Sequence, residues 1–191
     1  ERLADNAAVT VDLNATLTLS DTETVGSLTL AGTLGGGNRT LNASSIELQT
    51  NALVTANLGA GAMVVTGTAQ LDGSTQATSV DVQAGASLSL GAAQRLAAQP
   101  ALQLDGQLTL GGNETVGALQ GSGTAALASH TLGTNANTDT VFSGSTTGTG
   151  NLSKLGTGAL GLTGTLGHTG LTTVAGGTVV LASTERLHDN S

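Results

Sequence analysis

A short apolar–polar–apolar pattern recurs along this 191-residue chain and restricts its fold more than any other feature. Successive side chains of a β-strand point to opposite faces, so each triplet places two aliphatic side chains inward and one polar side chain outward. Gly, Asn, Asp, Ser and Thr separate the triplets and supply turns. The clearest copies are Val9-Thr-Val11 (continuing to Leu13), Leu17-Thr-Leu19, Leu28-Thr-Leu30, Ile46-Glu-Leu48, Val80-Asp-Val82, Leu88-Ser-Leu90, Leu102-Gln-Leu104, Leu108-Thr-Leu110, Leu160-Gly-Leu162 and Val179-Val-Leu181.

A longer repeat is superimposed on the triplets. The hexapeptide at residues 1–6 reappears at 94–99 and at 185–190, spaced 93 and 91 residues apart, and residues 22–28 match residues 113–119. This predicts two tandem units, 1–93 and 94–184, with a third beginning at 185–191. The strand pattern runs through the unit boundaries, which is typical of a solenoid rather than of separate sandwich domains.

The composition fits a narrow, regular core. Apolar content is almost entirely Ala, Leu and Val, with one Phe (Phe142), one Met (Met63) and no Trp, Tyr or Cys. We therefore predict an all-β chain folded as a right-handed parallel β-helix (a β-solenoid). It should have about nine or ten coils of roughly 20 residues each. The best helical candidate is residues 92–98, which Pro100 would end.

Charge and hydropathy exclude several function classes. The formal net charge is -8, and five Lys and Arg residues cannot neutralise a phosphate backbone, so no nucleic acid is expected. No apolar run approaches the roughly 20 residues that span a bilayer, so no membrane span is expected in this segment. The chain begins at Glu1 rather than Met, and we expect a piece of a longer protein.

Residues that could carry chemistry are scattered. Catalytic β-helices need clustered carboxylates, but the densest groups here are Asp21 with Glu23 and Asp5 with Asp12, which are typical of turns and caps. Gly35-Gly-Gly-Asn38 lacks the Asp of a calcium-binding repeat. We predict no enzyme activity, no cofactor and no metal. The same prediction covers His130, His168, His188 and the turn Gly121-Ser-Gly123, while the recurring Arg2, Arg95 and Arg186 are expected to pair with carboxylates or cap coil carbonyls.

Residues 148–181 resemble the autotransporter passenger-associated strand repeat, whose Gly-x-Leu-x-Lys-x-Gly-x-Gly-x-Leu-x-Leu-x-Gly core is followed by Thr-Gly-x-Thr-x-Val and Gly-x-Leu-x-Leu. Leu166 and His168 depart from that pattern, which favours Asn and Tyr there. Residues 22–25, 113–116 and the Glu-Arg-Leu segments look like the spacers found between such repeats. The matching positions are Gly150, Leu152, Lys154, Gly156, Gly158, Leu160, Leu162, Gly164, Thr169, Gly170, Thr172, Val174, Gly177, Val179 and Leu181.

The resemblance implies a secreted passenger displayed outside the outer membrane of a Gram-negative bacterium. In such a parent, a translocator β-barrel would lie C-terminal to this piece, and the β-helix would serve as an adhesin, biofilm or virulence stalk. Expected partners are other copies of the rod, or a host or abiotic surface.

Three alternatives stay open. Residues 61–85 are degenerate relative to the second unit, so an irregular coil or loop near residues 53–78 could bind a host glycan or protein. Flat Thr-rich solenoid faces can bind ice, although Thr-x-Thr lacks regular coil-by-coil spacing here. A polysaccharide-cleaving β-helix is the most remote of the three.

Overall fold

A computed structural model describes residues 3–182, and this part of the chain is built from short parallel strands without a helix. The strands are β1 Ala8–Val11, β2 Thr16–Thr18, β3 Glu23–Leu30, β4 Thr33–Gly35, β5 Thr40–Leu48, β6 Ala52–Val54, β7 Asn57–Leu58, β8 Ala62–Val65, β9 Thr68–Leu71, β10 Ser79–Val82, β11 Ser87–Leu90, β12 Ala101–Leu104, β13 Gln107–Leu110, β14 Glu114–Val116, β15 Ala118–Gln120, β16 Thr124–Ala126, β17 Thr131–Thr134, β18 Thr140–Phe142, β19 Ser145–Gly148, β20 Asn151–Lys154, β21 Ala159–Leu162, β22 Leu166–His168, β23 Thr172–Val174 and β24 Thr178–Leu181.

The strands stack into three long faces, each a parallel sheet running along the axis of a β-solenoid. Face A contains β1-β3-β5-β8-β10-β12-β15 and continues, through the bridge between Gly121 and Phe142, into β18-β21-β24. Face B is one unbroken sheet of nine strands, β2-β4-β6-β9-β11-β13-β16-β19-β22. Face C contains β14-β17-β20-β23 and is preceded by the first half of β5, by β7 and by isolated bridges at Thr75.

The coils can be followed through one inward position on face A. Parallel pairing aligns Val11, Leu30, Leu48, Val65 and Val82, continues to Leu104, and ends at Phe142, Leu162 and Leu181. With Gly121 between Leu104 and Phe142, this column has ten members and defines nine turns of the chain. The predicted solenoid and its number of coils are therefore confirmed.

The core consists of such columns. On face B, the aligned inward residues Val54, Leu71, Leu90 and Leu110 are at most 3% exposed. Alternate residues point outward, and this explains why the triplet pattern marks strands: all ten triplets contribute to a strand of the solenoid. Leu13 is an exception to the predicted inward alternation. It follows β1 in a turn, and 54% of its surface is exposed.

Corner side chains join each coil to the next. The Asn57 Oδ1 accepts hydrogen bonds from the backbone N and Oγ of Ser74, both at 3.0 Å. The Oδ1 of Asn113 accepts a hydrogen bond from the backbone N of Thr131 at 2.9 Å. The Oδ1 of Asn151 accepts one from the backbone N of Leu171 at 2.7 Å. The acceptor always belongs to the earlier coil in these pairs, so each coil offers a ready partner to the one that follows.

The expectation of an irregular or protruding segment near residues 53–78 is wrong, whereas the all-β prediction holds also at residues 92–98. Residues 53–78 do not protrude but form the ordinary strands β6 to β9 and their turns. A Cβ at Gly61 or Gly73 would collide with the carbonyl oxygen of the preceding coil, which shows how closely this segment is applied to its neighbour. Residues 92–98 form turns rather than a helix, and the backbone N of Ala97 bonds to the Thr75 carbonyl of the coil below at 3.0 Å.

The predicted spacers are also part of the coils. Glu23 begins β3 and Glu114 begins β14, and both strands pair in register with the next coil. In both strands a Glu occupies the inward position where the next coil carries Leu41 or Leu132, so the apolar alternation is interrupted there.

Candidate functional site

The residues of the repeat motif lie in the last coils and serve three structural purposes. Leu152, Leu160 and Leu162 are inward and at most 1% exposed. The motif glycines lie at corners, where a Cβ would strike the preceding coil: Gly156 faces the Ala136 carbonyl and Gly164 the Gly144 carbonyl. Gly150, Gly158 and Gly170 follow the same rule, while Gly177 has a φ of 65°. The remaining members of the motif are Thr169 after β22, Thr172 and Val174 in β23, and Val179 and Leu181 in β24. The motif therefore describes a tightly packed coil.

Lys154 points into the rod and is 1% exposed. Its ammonium group donates to the carbonyl oxygen of Gly156 at the adjacent corner. Its position aligns with Val116 and Thr134 of the two preceding coils. The lysine thus caps a corner carbonyl from inside, and this geometry does not present it to a ligand.

His168 replaces a leucine of the face B core. Its backbone pairs with Gly148, and its ring is 2% exposed. The Nδ1 lies 2.7 Å from the Thr146 hydroxyl and the Nε2 lies 2.9 Å from the Thr172 hydroxyl. With both ring nitrogens engaged by hydroxyls, His168 is a buried structural histidine.

The Glu114 side chain connects two coils at face C by accepting backbone hydrogen bonds from the preceding coil. Its Oε2 accepts from the backbone N of Arg95 at 2.7 Å and of Leu96 at 3.3 Å, and its Oε1 accepts from the N of Thr115 at 3.2 Å. The side chain is 1% exposed. Burial raises the pKa of Glu114 above its ordinary value, although these hydrogen bonds and the charge of Arg95 act in the opposite direction.

Arg95 is a structural residue of the same junction, as predicted from its recurrence. Its guanidinium donates to the carbonyl oxygens of Asp72 at 2.7 Å and Ala93 at 3.1 Å. It therefore fixes the turn before Leu96 to the coil below. Arg2, Arg186 and His188, as well as the start of the third unit, lie outside the described residues.

The outward side of the nine strands of face B is mainly polar and carries no charged side chain. The carboxylate of Asp72, directly after β9, accepts a hydrogen bond from the outward Gln70 of this face at 2.9 Å. One column, aligned by pairing, is mainly polar but includes three residues without a polar side chain: Thr16, Thr33, Leu53, Gln70, Ser89, Thr109, Ala126, Thr147 and Gly167. A second column consists of hydroxyl and amide residues aligned by parallel pairing, namely Thr68, Ser87, Gln107, Thr124 and Ser145. Hydroxyls of adjacent coils touch directly, since the Thr124 and Ser145 oxygens lie 2.9 Å apart.

Face A differs in charge and in shape. Its strands carry Glu47 and Asp81 at half-buried outward positions. Glu47 accepts hydrogen bonds from Gln49 at 3.0 Å and Thr66 at 3.2 Å. Beside this face an open axial groove is lined by small residues, including Gly26, Ser44, Gly61 and Ala62. The groove brings no cluster of catalytic side chains together.

The acids proposed from sequence as turn residues are distributed along the corners. The Asp21 carboxylate accepts from the N of Thr22 at 2.8 Å, and Asp139 accepts from Ala159 at 2.8 Å. Hydrogen bonds from Gln103 and Ser122 hold the pKa of the half-buried Asp105 below its ordinary value. Within residues 3–182, no group of three or more His, Asp or Glu side chains is placed to hold a metal ion.

Comparisons with known proteins give no relative for this chain: no family model, no curated protein and no solved structure matches it. In the described part of the chain, no helix is long and apolar enough to cross a membrane. The uncharged face was missed by sequence reasoning. The middle residue of each triplet carried the signal, but the triplets could be assigned to a common face only once the register was known.

Proposed function

We propose that this chain is a non-catalytic stalk segment of a secreted, surface-displayed bacterial autotransporter adhesin. In this role the rod spaces or presents a binding region and contributes to adhesion through its own surface. The observation that carries the proposal is the uninterrupted stack of nine turns, in which the repeat motif of residues 150–181 forms closely packed coils.

The distribution of polar groups supports a structural role. Four side chains of types that can take part in catalysis are instead hydrogen-bonded to backbone groups or hydroxyls of the rod. They are Arg95, Glu114, Lys154 and His168. Catalysis requires such groups to converge beside a substrate. Here their partners are structural, and exposed carboxylates such as Asp21 and Asp139 cap turns instead.

Rod geometry also supports a spacing role. Nine turns at about 4.8 Å per coil give a length of roughly 43 Å. Repeat proteins of this kind lengthen by adding coils that contact only their neighbours, so further copies of the 92-residue unit would extend the same rod. A stalk can therefore be lengthened without changing its cross-section.

The proposal can be tested by display. The chain would be fused between a secretory signal and a translocator β-barrel, and expressed in a Gram-negative host. We expect export to the cell surface and a protease-resistant fragment corresponding to the rod. The control carries Leu71→Asp and Leu104→Asp, which place charges at two core positions that are fully buried. Periplasmic retention of the unchanged chain, or surface exposure of an unfolded one, would contradict the proposal.

A second assay addresses catalysis. Incubation of the purified chain with neutral and acidic polysaccharides should release no new reducing or unsaturated ends. Release of either product, at a rate above that of the Leu71→Asp/Leu104→Asp control, would refute the non-catalytic assignment.

A further inference from the structure

We propose that the uncharged outer surface of face B is the contact through which two copies of this chain associate laterally. This rests on the stalk function proposed above and names the face and the partner. The occupant is a second copy of the chain, and the contact is made by hydroxyl and amide side chains without ion pairs.

Charge is the first argument. The chain carries a formal net charge of -8, so two rods repel at long range. Along face A an approaching copy would bring together outward carboxylates such as Glu47 and Asp81. The nine strands of face B present no carboxylate outward, and the half-buried Asp72 directly after β9 already accepts a hydrogen bond from Gln70. The four strands of face C are also uncharged outside, but they provide a shorter surface.

Periodicity is the second argument. In one outward column of face B, hydroxyl or amide groups recur in five successive coils about 4.8 Å apart, at Thr68, Ser87, Gln107, Thr124 and Ser145. A second copy has the same interval because it has the same fold, so a match at one coil is repeated along the sheet. An unrelated partner would need this spacing by coincidence.

The area of the outer surface of face B limits the affinity of one rod for another. Nine strands about 4.8 Å apart, with an outer width of about 13 Å, offer roughly 500 Å² per copy. Stable complexes bury about 800 Å² per partner, so one pair of rods should associate weakly. Many rods on one surface would act together, and their combined contact would be much stronger.

Matched charge insertions test the face. The face B variant carries Thr68→Glu and Gln107→Glu, both at exposed outward positions two coils apart. The face A control carries Ala62→Glu and Gln120→Glu, also at exposed outward positions. Each variant adds two negative charges and includes one isosteric Gln→Glu change. Circular dichroism and thermal melting would verify that both variants are folded.

The readout is clumping of inert beads coated with each protein, with a serum-albumin coat as the background. We expect wild-type beads to clump, more so as salt rises, because screening weakens the repulsion while no ion pair is lost. The face B variant should clump about tenfold less, because like charges would meet in the contact. The face A control should clump like the wild type.

Three outcomes would overturn the inference in distinguishable ways. Equal loss in both variants would show that overall charge, rather than face B, governs adhesion, and the adhesive function would stand. Wild-type beads that stay dispersed at every salt concentration would exclude self-association and leave a spacing role. If the beads stay dispersed but bind cellulose particles, and the face B variant loses that binding, the partner of face B is an uncharged glycan rather than a second copy.

Discussion

The first five coils and the last three are built on the same plan but fill their interiors differently. In the first part, face B contributes an inward column of aliphatic residues that includes Leu34, Val54, Leu71 and Leu90. In the last part, the corresponding column reaches Gly148 and His168. Of the seven buried polar residues identified within residues 3–182, five lie between positions 134 and 168: Thr134, Thr140, Thr146, Lys154 and His168.

This difference shows that a solenoid tolerates polar interior residues when most of them have a hydrogen-bond partner; of the five, only the Thr140 hydroxyl has none. A buried hydroxyl or ammonium loses its hydration and must be compensated by a hydrogen bond. Thr146 and His168 compensate one another, and Lys154 uses the Gly156 carbonyl. Because coil stability in a repeat protein depends mainly on nearest neighbours, we expect the last coils to open before the first ones.

The largest effect is expected from removing the single aromatic side chain. Phe142 is completely buried, and its backbone pairs with Gly121, which contributes no side chain to the same column. The change Phe142→Ala should lower the free energy of unfolding by about 4 kcal/mol, through lost burial and a cavity. Urea denaturation would measure the loss, and hydrogen exchange would locate it.

Leu71→Ala is the matched change in the aliphatic half and should cost about 3 kcal/mol. If the halves differ as proposed, Phe142→Ala should accelerate hydrogen exchange mainly after residue 120, while Leu71→Ala acts on the earlier coils. Uniform acceleration along the whole chain in both variants would show one cooperative unit and remove the distinction.

Glu114 marks the boundary between the two interiors, and its removal should cost about 3 kcal/mol. Glu114→Ala leaves the backbone N–H groups of the half-buried Arg95 and the buried Leu96 without their acceptor. The control Glu47→Ala removes a half-buried carboxylate from face A and should cost no more than about 0.5 kcal/mol. Equal losses in urea denaturation would mean that water replaces the Glu114 carboxylate.

Glu114 also predicts a direction for the dependence of stability on pH. Burial raises the pKa of Glu114 in the fold above its ordinary value of 4.5. A raised pKa means that the fold binds this proton more tightly, so its contribution to stability is present below the unfolded pKa and is lost as pH rises through the folded pKa. The stability of the wild type relative to Glu114→Gln should therefore fall as pH increases above 4.5 and then level off. A rise across that interval would show that the hydrogen bonds outweigh burial.

The smallest changes in stability are expected at two buried threonines, one whose hydroxyl has a hydrogen-bond partner and one whose hydroxyl has none. The Thr140 hydroxyl is buried without a hydrogen-bond partner, so Thr140→Val should stabilise the protein by about 1 kcal/mol. The Thr75 hydroxyl accepts from the N of Ala77 at 3.0 Å, so Thr75→Val should destabilise it by about 1 kcal/mol. Thermal melting should give shifts of opposite sign, and shifts of the same sign would contradict the assignment.

The solenoid could be predicted from the sequence because the alternating triplet is its strongest pattern. Each strand of a coil requires the same alternation of inward apolar and outward polar side chains. Leu28-Thr-Leu30 and Leu88-Ser-Leu90 both mark strands with the predicted inward residues. The pattern failed at Leu13, where alternation continued in the sequence after the strand had ended. Local periodicity cannot show where a turn begins when the next residue is also apolar.

Face C and the outer surface of face B could not be predicted in this way. The inward residues of face C include Thr75 and Glu114, whose burial depends on partners one coil away. The uncharged surface depends on which residues align across coils. Aligned coils range from the 17 residues between Ile46 and Met63 to the 22 between Val80 and Leu102, so no fixed period gives the register.

The direction of the hydrogen bonds between coils determines how such a rod would respond to tension. Strands lie across the rod, so their parallel pairing, as between β19 and β22, runs along its axis and is loaded when the ends are pulled. A coil that detaches replaces about 4.8 Å of rod by roughly 65 Å of extended chain, taking about 19 residues per coil. The rod would therefore lengthen in large steps, beginning at its weakest coils, and would absorb mechanical work while the remaining coils stayed folded.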